Sequence, residues 1–218
     1  MDDAITIWRE ALKEAQHPRH QAVWLLFSEG SDPKSAARLL ADHQAEVIPW
    51  LLEILDTPAL YDEGSFGNNL APANAVGVLG KWQVLKAVPR LLHILETEDP
   101  ETLVYDHTAT ALEAMGTGAL EPLLVFAEAC NEEDLHVTLA SILSQIGKGD
   151  ERVYRWVLKV FNQQTRDPTV EFMAENLLAA DAARAIPYLE ACLQKRKYAR
   201  RTRAILQRRI EEARRGAL

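Results

Sequence analysis

The chain has 218 residues, 48% of them apolar and 26% charged, with a net charge of −8. Such a composition buries enough surface to offset chain entropy, which excludes disorder as the main state. Ten Gly, ten Pro and two cysteines (Cys130 and Cys192) exclude collagen-like chains, flexible linkers, disulfide scaffolds and Cys-rich metal sites.

The first residues, MDDAITIWREALKEAQ, lack a basic segment followed by an apolar one, so no signal peptide is expected there. Apolar runs such as 22–27 fall far short of the ~20 residues that cross a bilayer. The expectation is a cytoplasmic protein with reduced thiols and no membrane contact.

Three amphipathic helices are predicted at 2–16, 18–28 and 33–43, the last opened by Asp32 as cap and Pro33 at the first helical position. Together 1–44 form an atypical N-terminal cap, as terminal repeats do. Five related segments follow: AEVIPWLLEIL (45–55), LKAVPRLLHIL (85–95), ALEPLLVFAEA (119–129), RVYRWVLKVF (152–161) and RAIPYLEACL (184–193). Pro49, Pro89, Pro122 and Pro187 share one position, filled once by Arg155, at intervals of 40, 33, 33 and 32 residues. Pro is expected in the first turn, where its missing N–H needs no partner. Beyond it Leu51, Leu91, Leu124, Val157 and Leu189 recur, then Ile54, Ile94, Ala127, Val160 and Cys192. Spacings of three and four residues mark one buried helical face.

A second helical pattern follows each of the first four segments, at 71–80, 108–116, 137–147 and 169–180. Gly80, Gly116 and Gly147 close three of these and are expected to take the left-handed cap conformation. Repeats are placed at 45–83, 84–118, 119–151 and 152–183, with a fifth starting at 184 within a repeat region of 45–194. A basic capping helix occupies 195–218. Strand and hairpin signals are absent.

The pattern AVPxLLxxL, followed by a helix ending in a small residue, Leu or Met and Gly, resembles the short bacterial HEAT repeats, including the phycobilin-lyase type. The resemblance covers about 45–194. It implies an all-α fold, a right-handed α-solenoid of about five helix pairs. Proteins similar in this way include chromophore lyases, a di-iron hydroxylase, alkylated-DNA glycosylases and interaction scaffolds, so the fold alone does not choose a function.

No catalytic constellation accompanies the pattern. None of the six histidines precedes Glu, and no Cys-x-x-Cys or His-x-x-x-His occurs, so no metal or cofactor is expected. Cys192 occupies a core position and Cys130 precedes an acidic turn, a setting that favours the thiol over the thiolate. P-loop, Gly-x-Ser-x-Gly and Gly-x-Gly-x-x-Gly motifs are missing. Trp50 and Trp156 share a slot that also takes Leu and Arg, which marks a helix flank rather than a base-stacking platform.

Partner surfaces are better candidates. Second helices in such arrays line a concave face. Asn74, Thr110 and Ser141 fall on one rung, His107, Thr138 and Glu171 on another, and Gln145 a turn beyond Ser141. A groove of small polar side chains suits an extended peptide or helix. Acidic turns at Asp56, Asp62 and Glu63, at Glu96, Glu98, Asp99 and Glu101, and at Glu132, Glu133 and Asp134 would form a rim for a basic segment, though solubility alone also explains them. The loop 56–72 carries Tyr61 and Phe66, which serve equally as anchors for a partner or as a cover over the N-terminal cap.

Residues 195–218 hold ten Lys and Arg against two acids, net +8, which leaves −16 on the rest of the chain. Tyr198, Thr202, Ile205, Leu206, Ile210 and Ala213 make an apolar stripe, so this segment is predicted to pack as a helix. Arg200, Arg201 and Arg203 on its outer face are candidate phosphate contacts. The leading reading is a non-catalytic protein–protein interaction scaffold that binds a protein or peptide, a basic one at the rim. The alternatives are a nucleic-acid binder led by the C-terminal helix and an accessory subunit of a lyase-type enzyme.

Overall fold

The computed structural model describes residues 23, 24, 26, 27, 32–195 and 198–216. The predicted helices at 2–16 and 18–28 lie largely outside the described residues. About 80% of the described residues are helical, and no strand occurs among them. The chain divides into two compact units, Met1–Met115 and Gly116–Leu218.

The first unit contains α1 (Pro33–Leu39), α2 (Gln44–Leu55), α3 (Leu70–Lys81), α4 (Val88–Thr97) and α5 (Leu103–Met115). Helix α1 starts as its sequence implies. The Asp32 carboxylate accepts hydrogen bonds from Lys34 N and Ser35 N, both 3.1 Å, and Pro33 is the first helical residue. Helix α3 is the hub of this unit and packs against α1, α2 and α5. Nine of its twelve residues are buried, which fits its nearly polar-free sequence LAPANAVGVLGK.

The second unit contains α6 (Leu120–Ala129), α7 (Glu133–Ile146), α8 (Glu151–Gln163), α9 (Asp167–Lys195) and α10 (Arg200–Arg214). Helix α9 breaks at Asp181, whose backbone is extended (φ −162°, ψ 93°). Asp181 then caps the second half by accepting from Arg184 N at 3.1 Å. Helix α10 packs on α9 through Thr202, Leu206 and Ile210, all buried, along the stripe read from the sequence.

The repeated apolar positions are interior in every copy. Leu51, Leu91, Leu124, Val157 and Leu189 are at most 4% exposed, and Ile54, Ile94, Ala127, Val160 and Cys192 at most 7%. Hydrogen bonds in both units join residues about one repeat apart. In the first, Arg90 Nε donates to Asp56 at 2.7 Å and Gln83 Nε2 to Ala114 O at 2.7 Å. In the second, Arg152 reaches Glu121, Trp156 Nε1 donates to Ala127 O, and Arg184 reaches Glu151.

Two expectations about the backbone are corrected. Pro89 and Pro122 do lie in the first turns of α4 and α6, but Pro49 and Pro187 sit about a turn further in. Helix α2 starts early because a 3-10 turn at Ala41–His43 feeds into it, and the second half of α9 starts early at the Asp181 cap. Only Gly116 takes the left-handed conformation among the three helix-closing glycines, with φ 62°. Gly80 lies inside α3, and a Cβ there would sit 2.5 Å from Ala111 Cβ. Gly147 has φ −111°, and its Cβ would sit 2.6 Å from Val153. Both are glycine because another element passes too close for a side chain.

Candidate binding cleft

A cleft of about 340 Å³ opens in the first unit where α1, α3 and α5 meet. The N-terminal turn of α1 supplies Asp32, Pro33 and Lys34. Helix α3 supplies Gly77, Gly80 and Lys81, and α5 supplies His107, Thr110, Ala111 and Ala114. Small residues allow the three elements to converge. A Cβ on Gly77 would meet Pro33 Cβ at 2.7 Å, and Gly80 already abuts Ala111. The i, i+3 and i, i+4 spacing of 77, 80 and 81 on α3, and of 107, 110, 111 and 114 on α5, turns both sets to one side.

The polar groups of this cleft are few and fixed. His107 Nδ1 lies 2.9 Å from Ala73 O. A carbonyl only accepts, so Nδ1–H is the donor, and in that tautomer Nε2 is the acceptor nitrogen. Thr110 is exposed on α5 one turn further along. Lys34 and Lys81 are exposed and bring two positive charges. The Asp32 carboxylate is occupied: besides the two backbone bonds it accepts from Ser35 Oγ at 2.8 Å. These bonds, that of Ser35 Oγ first, hold its pKa below the usual carboxylate value.

His107 and Thr110 are thus brought to one cleft. Asn74 is not with them. It is a core residue, 4% exposed, and its Nδ2 donates to Leu26 O at 2.7 Å. The rung that pairs Asn74 with Thr110 is therefore out of register: the 34-residue offset that joins Ala73 to His107 sets Asn74 against the buried Thr108. In the second unit Thr138 and Ser141 are half-buried on α7 and Gln145 is exposed. Ser141 O accepts from Ser144 Oγ at 2.8 Å. Glu171 accepts a 2.7 Å hydrogen bond from the buried Thr202 hydroxyl, which ties α9 to α10.

The aromatics of the 56–72 loop turn inward. Tyr61 donates its hydroxyl to Leu55 O at 3.0 Å. Phe66 stacks on Phe27 with ring centroids 4.7 Å apart and lies 5.1 Å from Trp24. Of the two roles open to these residues, Phe66 fills that of the cover, while Tyr61 is bonded to the end of α2. Asn68 and Asn69 turn the loop with positive φ, 48° and 58°.

A second cleft of about 530 Å³ lies in the other unit between α9 and α10, lined by Glu190, Leu193, Gln194, Arg203, Gln207, Ile210 and Arg214 among others. Arg214 pairs with Glu190 inside it, and Arg203 Nη1 donates to Leu193 O at 2.9 Å. The arginines of α10 are divided by role. Arg209 pairs with Glu175 and Glu212, Arg208 with Glu212 and Arg215 with Glu211. Arg200 and Arg201 are exposed at its N-terminal end.

Sequence reasoning missed a buried polar series. Asn74 and Thr108 in the first unit, and Ser144 and Asn176 in the second, occupy corresponding places on second helices and are at most 4% exposed. Ser144 Oγ is 3.5 Å from Asn176 Oδ1. Intervals of 34 and 32 residues within otherwise apolar faces were the available signal.

Among the described residues no group of three or more His, Cys, Asp or Glu is placed to hold a metal ion, and no helix is long and apolar enough to cross a membrane. No family model, curated protein or solved structure matches this chain.

Proposed function

We propose that this protein is a non-catalytic interaction scaffold, each unit being a run of right-handed α-solenoid built from HEAT-like helix pairs. Repeat-spaced hydrogen bonds support the helix-pair reading. In each unit they join positions about one repeat apart, as with Arg90 to Asp56 and Arg184 to Glu151. The observation that carries the binding reading is the cleft of the first unit. It is concave, lined chiefly by small and apolar residues, and it gathers His107, Thr110, Lys34 and Lys81 without the nucleophile–base geometry that chemistry demands.

The test is affinity capture from a lysate of the source organism, with and without nuclease, using the wild-type chain and a Thr110→Arg variant. Thr110 is exposed, so the variant keeps its fold while blocking the cleft. A protein captured by the wild type after nuclease and lost from the variant supports the proposal. Equal capture by both removes the cleft from it.

One observation favours a second reading, nucleic-acid contact through α10. Arg200 and Arg201 are exposed, while Arg203 is bonded to Leu193 O and Arg208, Arg209, Arg214 and Arg215 are paired with acids. Affinity for a single-stranded oligonucleotide that falls steeply with salt and vanishes in Arg200→Glu/Arg201→Glu would establish it. Salt-independent or absent binding ends it.

A further inference from the structure

The cleft of the first unit differs in charge from the protein that carries it. The whole chain has a net charge of −8. Among the described lining residues the one carboxylate, Asp32, accepts hydrogen bonds from Lys34 N, Ser35 N and Ser35 Oγ. Asp32 keeps its negative charge, and against it stand the ammonium groups of Lys34 and Lys81, one from α1 and one from α3. The described lining therefore carries net positive charge on an acidic chain, which favours an acidic segment over a basic one at this place.

The neutral groups specify more. His107 Nδ1–H donates to Ala73 O, and in that tautomer Nε2 is able to accept a hydrogen bond. Thr110, one turn along α5, brings a hydroxyl able to donate to a carbonyl. An acceptor and a donor one helical turn apart match the alternating N–H and C=O groups of an extended main chain. Ala111, Ala114 and the α3 backbone at Gly77 and Gly80 give an apolar floor without protruding side chains. About 340 Å³ is the low end of the range for ligand cavities, enough for a short part of a larger partner.

We propose that this cleft docks an extended acidic segment of a partner protein. An apolar side chain lies on the Gly–Ala floor, a main-chain N–H donates to His107 Nε2, and flanking carboxylates pair with Lys34 and Lys81. This deepens the scaffold proposal and rests on it, by naming the chemistry of the segment that is bound.

The experiment is amide NMR on the full-length ¹⁵N-labelled chain. It is titrated with a pool of acetylated, amidated nonapeptides carrying central Leu, Ile, Val or Met flanked by Asp and Glu. Parallel titrations use the same pool with Lys and Arg in place of the acids, and a ten-nucleotide oligothymidine. The acidic pool is expected to shift the amides of Gly77, Gly80, Lys81, Thr110 and Ala111. Its affinity should fall about tenfold or more in Lys34→Glu/Lys81→Glu and vanish in Ala114→Trp, which fills the cleft. Both sets of changes fall on exposed positions, and an unchanged melting temperature verifies the fold. Three results overturn the inference: the basic pool or the oligonucleotide shifting these amides as strongly, no shift from the acidic pool, or acidic-pool binding indifferent to the two lysines. A captured protein that the acidic pool does not displace also overturns it, and leaves the scaffold proposal standing.

Discussion

His107 Nδ1 on α5 and Ala73 O on α3 are 2.9 Å apart, and this bond joins two second helices across 34 residues. It sets the register between them and fixes the ring of a residue that lines the cleft. The same pair of helices touches again at Gly80 and Ala111, where no further atom fits between them. One contact orients a polar group and the other sets the spacing, so the shape of the cleft follows from both.

Gly80→Ala tests that spacing. The added Cβ would lie 2.5 Å from Ala111 Cβ, so α3 and α5 must move apart. The expected loss is about 1–3 kcal/mol, as for other overpacked cores. Urea unfolding measures it, and Ala111→Gly in the same chain should recover a large part, as contacting residues couple.

Asp150 controls stability in acid. Hydrogen bonds from the Arg152 side chain and from Arg152 N hold its pKa down, to about 2. A carboxylate with a depressed folded-state pKa contributes stability above its unfolded value, 3.8, and loses it as pH falls toward the folded value. The unfolding midpoint should therefore hold down to about pH 4 and fall between there and pH 2. Asp150→Ala should flatten that part of the profile and cost about 1 kcal/mol at neutral pH, since Asp150 also caps α8. A profile identical to wild type would refute this role.

Glu98 has the opposite sign. Partial burial, and then the charge of Asp62, raise its pKa above the ordinary carboxylate value. Its ionised form is therefore disfavoured in the folded state, and the penalty is present above the folded pKa and disappears as pH falls through it. Glu98→Gln should raise the melting temperature at pH 7 and have no effect well below pH 4. Calorimetry at the two pH values checks this.

Asn74→Ala should cost about 1–3 kcal/mol, because Leu26 O loses the donor it has in the interior. The readout is equilibrium denaturation. Thr110→Ala, also placed on the candidate face by the sequence, should change stability by less than about 0.5 kcal/mol, since it is exposed. Comparable losses at both positions would contradict the division of that face into core and surface.

Among the described residues, the helices, their order and their buried sides were largely legible in the sequence because they depend on local rules. Leu51, Leu91, Leu124, Val157 and Leu189 recur at one helical position, and all five are interior. The C-terminal segment likewise reads as a packed helix from Thr202, Leu206 and Ile210. These patterns need only the helical period and the preference of apolar surface for the interior.

What lies between helices needed three dimensions. Asn74 and His107 look alike as polar residues on second helices, yet a shift of one residue in register puts one in the core and the other at the cleft. Each residue turns a helix by roughly 100°, so an error of one position moves a side chain to another face. Gly80 reads as a helix stop and is a contact point, because the helix that crowds it starts more than twenty residues later in the chain. The sequence by itself determined which segments become helices and which side of each is buried, since both follow from neighbours along the chain. Only the tertiary structure decided where α1, α3 and α5 leave room for a partner, since that depends on atoms packed across distant positions.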